Sequence, residues 1–246
     1  MSLKPYYELD GITIYHGDCR EILPQLAAGS VTLLWTDPPY GHSNHDGDLN
    51  ARLNEHRQLA NQPIANDSQD EMRTVVDAML RLALPVLRDD CCCCCCCGGG
   101  GPKPTFAWVA NRMDSEGLQF FHSVIWNKLN PGLGWRFRRQ HEMVMVAHKT
   151  GGKLAWRDDD VAHPNIIDAY PPRDRSHPNE KPLDLVRRFI GLTTKDNDLV
   201  LDPFMGSGTT LVAAKLEQRR AIGIELEERY CEIAAKRLSQ GVLPFA

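Results

Sequence analysis

Leu199-Val200-Leu201-Asp202-Pro203-Phe204-Met205-Gly206-Ser207-Gly208-Thr209-Thr210 is a short apolar strand that runs into a Gly-x-Gly turn, with a helical pattern behind it. Glycines admit positive φ and let backbone come close to a ligand. Downstream, Ala221-Ile222-Gly223-Ile224-Glu225 forms the next strand and ends in an acid, at the place where α/β folds commonly meet ribose hydroxyls. The third glycine of a dinucleotide fingerprint is replaced by Leu211, and no Gly-Lys-Ser/Thr of a phosphate loop follows. A nucleoside cofactor without a pyrophosphate therefore fits this turn better than NAD.

The same alternation extends outward along the chain. Apolar runs at 12–15, 31–35, 91–97, 123–126, 143–147, 199–201 and 221–225 read as strands. Between them, Val76, Met79, Leu80, Ala83 and Leu87 recur at helical spacing, and Ser68-Gln69-Asp70-Glu71 upstream has the form of a capping box. Leu183, Val186, Phe189 and Ile190 repeat the pattern behind Pro182, and Tyr230, Ile233, Ala234 and Leu238 repeat it before Gly241. Strands alternating with helices predict an α/β domain, a mostly parallel sheet covered on both faces. Residues 41–67 and 149–176 interrupt the pattern with polar, irregular sequence. Residues 98–101 are all glycine and, followed by Pro102, read as a flexible turn.

Composition bounds the rest. The 246 residues suit one large domain, or one carrying an insertion. The 28 Lys and Arg against 32 Asp and Glu leave −4, which excludes binding to nucleic acid through bulk positive charge and requires a local patch instead. No apolar stretch approaches the roughly 18 residues that span a bilayer, and the start MSLKPYYELD lacks the apolar core of a secretory signal. The expectation is a cytoplasmic chain without membrane contact. Seven of the nine cysteines form the run 91–97, leaving Cys19 and Cys231 elsewhere. An unbroken run offers neither a disulfide framework nor the spaced pairs of a zinc site, so it reads as a buried strand of small hydrophobes, and no metal is expected.

A second motif carries chemistry. Leu33-Leu34-Trp35-Thr36-Asp37-Pro38-Pro39-Tyr40 takes a strand straight into Asp-Pro-Pro-Tyr, at the carboxyl end where open α/β sheets bind ligands. Two prolines fix φ and make the turn rigid. The turn presents a carboxylate, a carbonyl outside the sheet and an aromatic face, which together suit a planar group bearing an NH₂. The competing reading is a Pro-rich turn with a packed Tyr.

Both motifs in one chain resemble the amino-directed DNA methyltransferases, which use S-adenosylmethionine. Asp37-Pro38-Pro39-Tyr40 looks like the catalytic motif, and Asp202-Pro203-Phe204-Met205-Gly206-Ser207-Gly208 like the cofactor loop. His177-Pro178-Asn179-Glu180-Lys181-Pro182 is similar to the element before that loop, and Gly17-Asp18-Cys19 to the N-terminal acidic motif. Trp126-Asn127-Lys128 and His141-Glu142 match the later strands of the catalytic half. The catalytic motif precedes the cofactor motif, the circularly permuted order of the β group. The resemblance implies a Rossmann-like S-adenosylmethionine-dependent methyltransferase fold, with a seven-stranded, mostly parallel sheet and one antiparallel strand. It implies one domain over 1–246: a catalytic half at about 28–148, a short target-recognition insert at 149–176, and a cofactor half at 177–246 plus 10–27.

Carried over, the resemblance makes Asp37, Pro38, Pro39 and Tyr40 catalytic. Asp37 and the Pro38 carbonyl hold the target amine, and Tyr40 stacks on a flipped base. Cofactor binding falls to Asp18, Asp37, His177, Lys181, Asp202, Phe204, Gly206, Ser207, Gly208, Thr209 and Glu225. Asp18 faces the adenine amine, Glu225 the ribose, and His177 and Lys181 the methionine end. Read without the resemblance, Asp18 is equally a helix N-cap, Glu225 a first-turn helix acid and Lys181 a solvated charge. Asp at the first catalytic position points to adenine N6, and cytosine N4 is the alternative. An RNA or protein amine methylase and an inactive nucleic-acid-binding relative stay open behind them. No Pro-Cys pair of the kind used against cytosine C5 is present.

DNA contact needs the local patch. Between 128 and 157, Lys128, Arg136, Arg138, Arg139, Lys149, Lys153 and Arg157 stand against one acid, Glu142, with Trp135, Phe137 and Trp156 interleaved. The partner implied is double-stranded DNA, with a homodimer open. The insert is short, so the expected recognition site is short or relaxed, unless residues 41–67 or a second subunit help read it. A phage or restriction-modification setting is what the family leads one to expect.

Overall fold

Residues 91–97, the cysteine run, lie in the longest strand of a sheet and are flanked by another strand on each side. The computed structural model describes residues 3–39, 65–66, 68–97, 105–115, 117–132, 137–157, 161–172 and 180–240. Its strands are β1 (Tyr7–Leu9), β2 (Ile12–His16), β3 (Val31–Thr36), β4 (Leu87–Cys97), β5 (Leu118–Asn127), β6 (His141–Lys149), β7 (Ile166–Asp168), β8 (Leu199–Asp202) and β9 (Arg220–Glu225). They form one sheet in the order β1-β2-β9-β8-β3-β4-β6-β5-β7. β4 pairs in parallel with β3, Trp35 opposite Cys94, and antiparallel with β6, Cys93 opposite Ala147. Cys91, Cys93 and Cys95 enter one core layer and Cys92, Cys94 and Cys96 the other, each 1% exposed or less. A strand buried on both faces has no polar side, so an unbroken run of small apolar residues satisfies it.

The helices α1 (Cys19–Ile22), α2 (Gln69–Ala83), α3 (Thr105–Arg112), α4 (Leu183–Thr193), α5 (Thr209–Leu216) and α6 (Glu228–Ser239) cover the two faces. α1, α2 and α3 pack on the face of Leu34 and Cys93, and α4, α5 and α6 on the face of Leu33, Trp35 and Cys94. α2 starts at the expected capping box: Ser68 Oγ accepts the Glu71 N–H at 3.3 Å and donates to Glu71 Oε2 at 2.5 Å. Its buried side is Met72, Val75, Val76, Met79, Leu80 and Ala83, and burying each large apolar side chain contributes about 1.5–3 kcal/mol. The helix ends at Ala83, earlier than its apolar pattern. Leu84–Val86, with Pro85 inside it, is a single 3-10 turn, and Leu87 already belongs to β4.

The sheet has nine strands where seven were expected, and two run antiparallel to their neighbours where one was. The additions are three-residue edge strands: β1, antiparallel to β2, and β7, parallel to β5. The other seven match the expected set, with β6 antiparallel between β4 and β5. Three residues with no buried position carry no periodicity to read, which is why β7 lay hidden inside the irregular 149–176 stretch. α3 was also unanticipated. The glycine turn at 98–101 and nearly all of 41–67 lie outside the described residues. Among the described residues, no helix is long and apolar enough to cross a membrane.

One topological feature positions the site. From β3 the chain crosses through α2 to β4 on one side, and from β8 through α5 to β9 on the other. β3 and β8 are neighbours, so the crossovers diverge between them. In open α/β sheets that point leaves a crevice at the strands' carboxyl ends.

Candidate active site at the divergence of β3 and β8

A cleft of about 1030 Å³, including its open mouth, occupies that crevice. Both sequence motifs open into it. Asp37, Pro38 and Pro39 follow β3, and the glycine turn follows β8. Glu225 ends β9, Gly17 and Asp18 follow β2, and Glu180 and Lys181 lead into α4. Tyr40 and His177 lie outside the described residues.

The glycine turn is tightly held. Gly206 and Gly208 have φ of +50° and +82°. A Cβ on Gly208 would stand 2.7 Å from the Ala234 Cβ of α6, so the residue is glycine for both backbone and space. Glu225 accepts the Gly206 N–H at 3.0 Å and the Glu227 N–H at 2.8 Å. Burial pushes its carboxyl pKa up, against the pull of those amides. Glu225 thus ends a strand and braces the loop, and is not an acid of the α6 first turn. Asp202 accepts the Phe204 N–H at 3.1 Å and the Thr210 hydroxyl at 2.5 Å. Burial, with Asp37 and Glu225 adding repulsion, raises its pKa to about 7. From α6, Arg237 donates to the Ser207 carbonyl at 2.8 Å and hydroxyl at 3.0 Å, and pairs with Glu180 at 3.0 Å. Glu180 in turn accepts the Thr209 hydroxyl at 3.3 Å.

Asp18 is the N-cap of α1. It accepts the Arg20 N–H at 2.8 Å and pairs with the Arg20 guanidinium at 2.5 Å, and that hydrogen-bonded pair holds its carboxyl below the usual range. It also lines the cleft, so capping α1 does not remove it from the site.

Lys181 is only 6% exposed, far from a solvated charge. Its Nζ lies 2.5 Å from Asp37 Oδ2 and 3.5 Å from Glu142 Oε2. Burial opposes its charge, but Asp37 and Glu142 outweigh burial and hold the ammonium above its ordinary pKa. Glu142 carries the chain of charges onward to Lys128, whose Nζ also sits 5.0 Å from the centre of the Trp126 ring. For Glu142 too, burial opposes the charge, and Lys181 and Lys128 hold its pKa below the usual range. Asp37, Lys181, Glu142 and Lys128 therefore alternate in sign, from Asp37 in the cleft to Lys128 at the end of β5.

The basic residues are not one patch. Lys128, Arg138 and Arg139 lie at the carboxyl edge of the sheet, beside the β5–β6 connection. There the Lys128 and Gly132 N–H groups meet the Gln140 and Arg139 carbonyls, and Arg138 donates to the Gly132 carbonyl at 2.7 Å. Lys149, Lys153 and Arg157 lie at the opposite edge. Lys149 pairs with Asp89 at 3.0 Å, the Lys153 N–H donates to the Asp89 carbonyl, and Arg157 pairs with Asp198 at 3.6 Å. Arg136 lies outside the described residues. Sequence reading missed the parts played by Glu142, Glu180 and Arg237. The available signal was Arg237, a cation seven residues after Tyr230 on the otherwise apolar side of α6. Among the described residues, no group of three or more His, Cys, Asp or Glu side chains is arranged to hold a metal ion.

Known proteins are similar to this chain over most of its length. Over 264 residues, the chain is 29% identical to the Type II methyltransferase M2.LlaDCHI of Lactococcus lactis subsp. cremoris, covering 98% of this chain and 94% of that relative. It is equally 29% identical over 263 residues to M2.DpnII of Streptococcus pneumoniae, covering 97% and 93%. The structure of the M1.HpyAVI–SAM complex superposes with a TM-score of 0.69 at 26% identity, covering 92% of this chain and 98% of that one. The cytosine-N4-specific PvuII DNA methyltransferase, at 22% identity and a TM-score of 0.76, shares the fold over 98% of this chain and 90% of its own. Residues 31–236, from the first residue of β3 into α6, match the DNA methylase family model and so take in both motifs of the cleft; the chain belongs to the DNA methylase family.

Proposed function

We propose that the protein transfers a methyl group from S-adenosylmethionine to the exocyclic N6 amine of a flipped-out adenine in double-stranded DNA. The observation that carries this reading is Asp37, presented by a Pro-Pro turn in the same cleft as the glycine loop. The residues fit the cofactor. Asp18, Asp37, Glu180, Asp202 and Glu225 line the cleft and favour a cation, and the glycine loop gives close backbone access. Glu225 and Asp202 are the acceptors for ribose and neighbouring groups, with Phe204, Ser207 and Thr209 beside them. When bound, S-adenosylmethionine supplies a methyl group activated by its sulfonium.

The chain's own part is positional. An exocyclic amine is a weak nucleophile because its lone pair is drawn into the ring. Asp37 and the Pro38 carbonyl accept its two N–H bonds, pull the nitrogen toward tetrahedral geometry and aim its lone pair. Holding two reactants in line is worth up to about 7–11 kcal/mol in favourable systems. Tyr40 stacks on the extruded base. Asp37, the first residue of the catalytic motif, supports adenine over cytosine N4.

Lys128, Arg138 and Arg139, on the cleft's side of the sheet, are the phosphate-binding residues of this proposal. With only 149–176 as the insert before the His177 element, the recognition sequence is short or relaxed, the alternative being that residues 41–67 or a second copy of the chain help read a longer one. The Type II names of the relatives support a restriction-modification role in the cytoplasm. Expressing the protein in a host without adenine methylation and mapping modified bases tests the reading. N6-methyladenine at a short motif is expected, and N4-methylcytosine or unmodified DNA overturns it. Asp37→Ala should bind S-adenosylmethionine within about threefold of wild type while losing methyl transfer, and retained transfer sinks the mechanism.

A further inference from the structure

Lys181 occupies an unusual place. Asp37 follows β3 and Glu142 sits near the start of β6, on either side of β4. The ammonium of Lys181 reaches both carboxylates across the end of that central strand, with Cys96 of β4 beneath it. The residue after it, Pro182, is the buried N-cap of α4. A contact to the cofactor explains none of this. The cleft is otherwise acidic, and a bare ammonium there would repel a sulfonium.

We propose that Lys181 is a positioning residue for methyl transfer. Its ammonium fixes the Asp37 carboxylate, as an anion, toward the target amine, and Glu142 fixes Lys181. This rests on the methyltransferase reading above and adds a part for a residue that the family resemblance gives to the cofactor. The requirement is chemical: Asp37 serves only while ionised, since a protonated carboxyl donates where an acceptor is needed. Among the described residues, the groups facing Asp37 are Lys181 ahead of α4, Glu142 of β6, Cys96 of β4 and Asp202 at the end of β8, with Glu225 of β9 beyond Asp202. Lys181 is the cation among these, and without it the carboxylates repel one another and one takes up a proton. Glu142 offsets the charge of Lys181, and Lys128 offsets that of Glu142, so ionised Asp37 is the end of a balanced chain.

The test uses the full-length protein with Lys181→Met, Lys181→Arg and Glu142→Gln. Single-turnover transfer to a duplex oligonucleotide at saturating S-adenosylmethionine is followed from pH 5.5 to 9, beside cofactor titrations. Lys181→Met should lower the rate at pH 7 by about 100-fold, as loss of one oriented charged group does elsewhere. Its acid limb should move up by about one pH unit or more, with cofactor affinity within about threefold of wild type. Lys181→Arg should recover most of the rate, and Glu142→Gln should lower the rate by less than Lys181→Met without raising the acid limb, because it removes a neighbouring anion. A Lys181→Met enzyme with wild-type rate and acid limb overturns the proposal. So does one that loses only cofactor affinity, which would return Lys181 to the cofactor.

A second readout needs no turnover. In cofactor-free protein labelled with ¹³C at aspartate carboxyls and assigned with Asp37→Asn, the Asp37 midpoint should move to higher pH in Lys181→Met. An unmoved midpoint overturns the proposal even if the wild type methylates. A wild type that transfers nothing to DNA defeats the methyltransferase reading instead, and the titration still decides the Lys181–Asp37 link. Should Lys181→Met fail to fold by thermal melting, Lys181→Gln carries both measurements, and a wild-type acid limb and midpoint in it overturn the proposal.

Discussion

Asp202 binds a proton with a pKa of about 7, against 3.8 for the ordinary group, chiefly because it is buried. The sign follows from that order. A carboxyl whose folded-state pKa is raised stabilises the fold while neutral, in full below about pH 4, and loses that contribution as pH rises through 7. A cationic ligand in the same cleft prefers the ionised form. S-adenosylmethionine binding should therefore weaken as pH falls from 8 to 6, by up to about tenfold per unit below the pKa. Isothermal titration across buffers should show proton release on binding at pH 6. Asp202→Asn should flatten the slope, leaving what Glu225 contributes, and an unchanged slope would assign the effect elsewhere. At this scale the carboxylates of the cleft were legible, because Asp37, Asp202 and Glu225 each end a readable strand. The Lys181–Asp37 pair was not. Its partners are 144 residues apart, and local sequence says nothing about which strand ends meet.

At the level of elements, the glycine loop is the most constrained part of the cleft. Gly208→Ala places a Cβ at φ +82° and 2.7 Å from Ala234. It should destabilise the protein by about 1–3 kcal/mol in urea unfolding and weaken cofactor binding by about tenfold or more, one decade being 1.4 kcal/mol. Adding Ala234→Gly should relieve the steric part and leave the backbone part. Full recovery in the double variant would mean that φ costs nothing there. The capping box of α2, the Gly-x-Gly turn and the apolar strands could be read because each has a local physical signature. β1 and β7 could not, being edge strands of three residues each. The cysteine strand was read through composition, and its six described thiols, like those of Cys19 and Cys231, are buried. For Cys19 and Cys231, burial pushes the thiol up to about 12, which leaves them protonated at neutral pH.

For the whole molecule, charge that is contiguous in sequence is divided in space. β6 has nine residues, and at about 3.3 Å each they put roughly 30 Å between its ends. That is why Lys128 and Arg138 fall beside the cleft and Lys149 and Arg157 at the far edge. If DNA meets the cleft side, substituting Lys128, Arg138 or Arg139 should lower the slope of log affinity against log salt by about 0.9 for each phosphate no longer neutralised. Substituting Lys149, Lys153 or Arg157 should leave that slope unchanged. Equal effects from both sets would mean that DNA wraps both edges.

The pairing of β2 with β9 also has a consequence for how the protein is made. Ile12 lies opposite Ala221 and His16 opposite Glu225, and Arg237 of α6 clasps the glycine loop. The wall of the cleft thus joins two strands more than 200 residues apart in sequence, the earlier made long before the later. While synthesis continues, β2 waits without its neighbour, its apolar Ile12 and Ile14 uncovered, as the middle of the chain emerges. Such long-range closure makes the cleft a late product of folding. A chain cut before α6 keeps every residue of the Asp37 motif and lacks the support that shapes the glycine loop, so the cleft is completed only after α6 has been made.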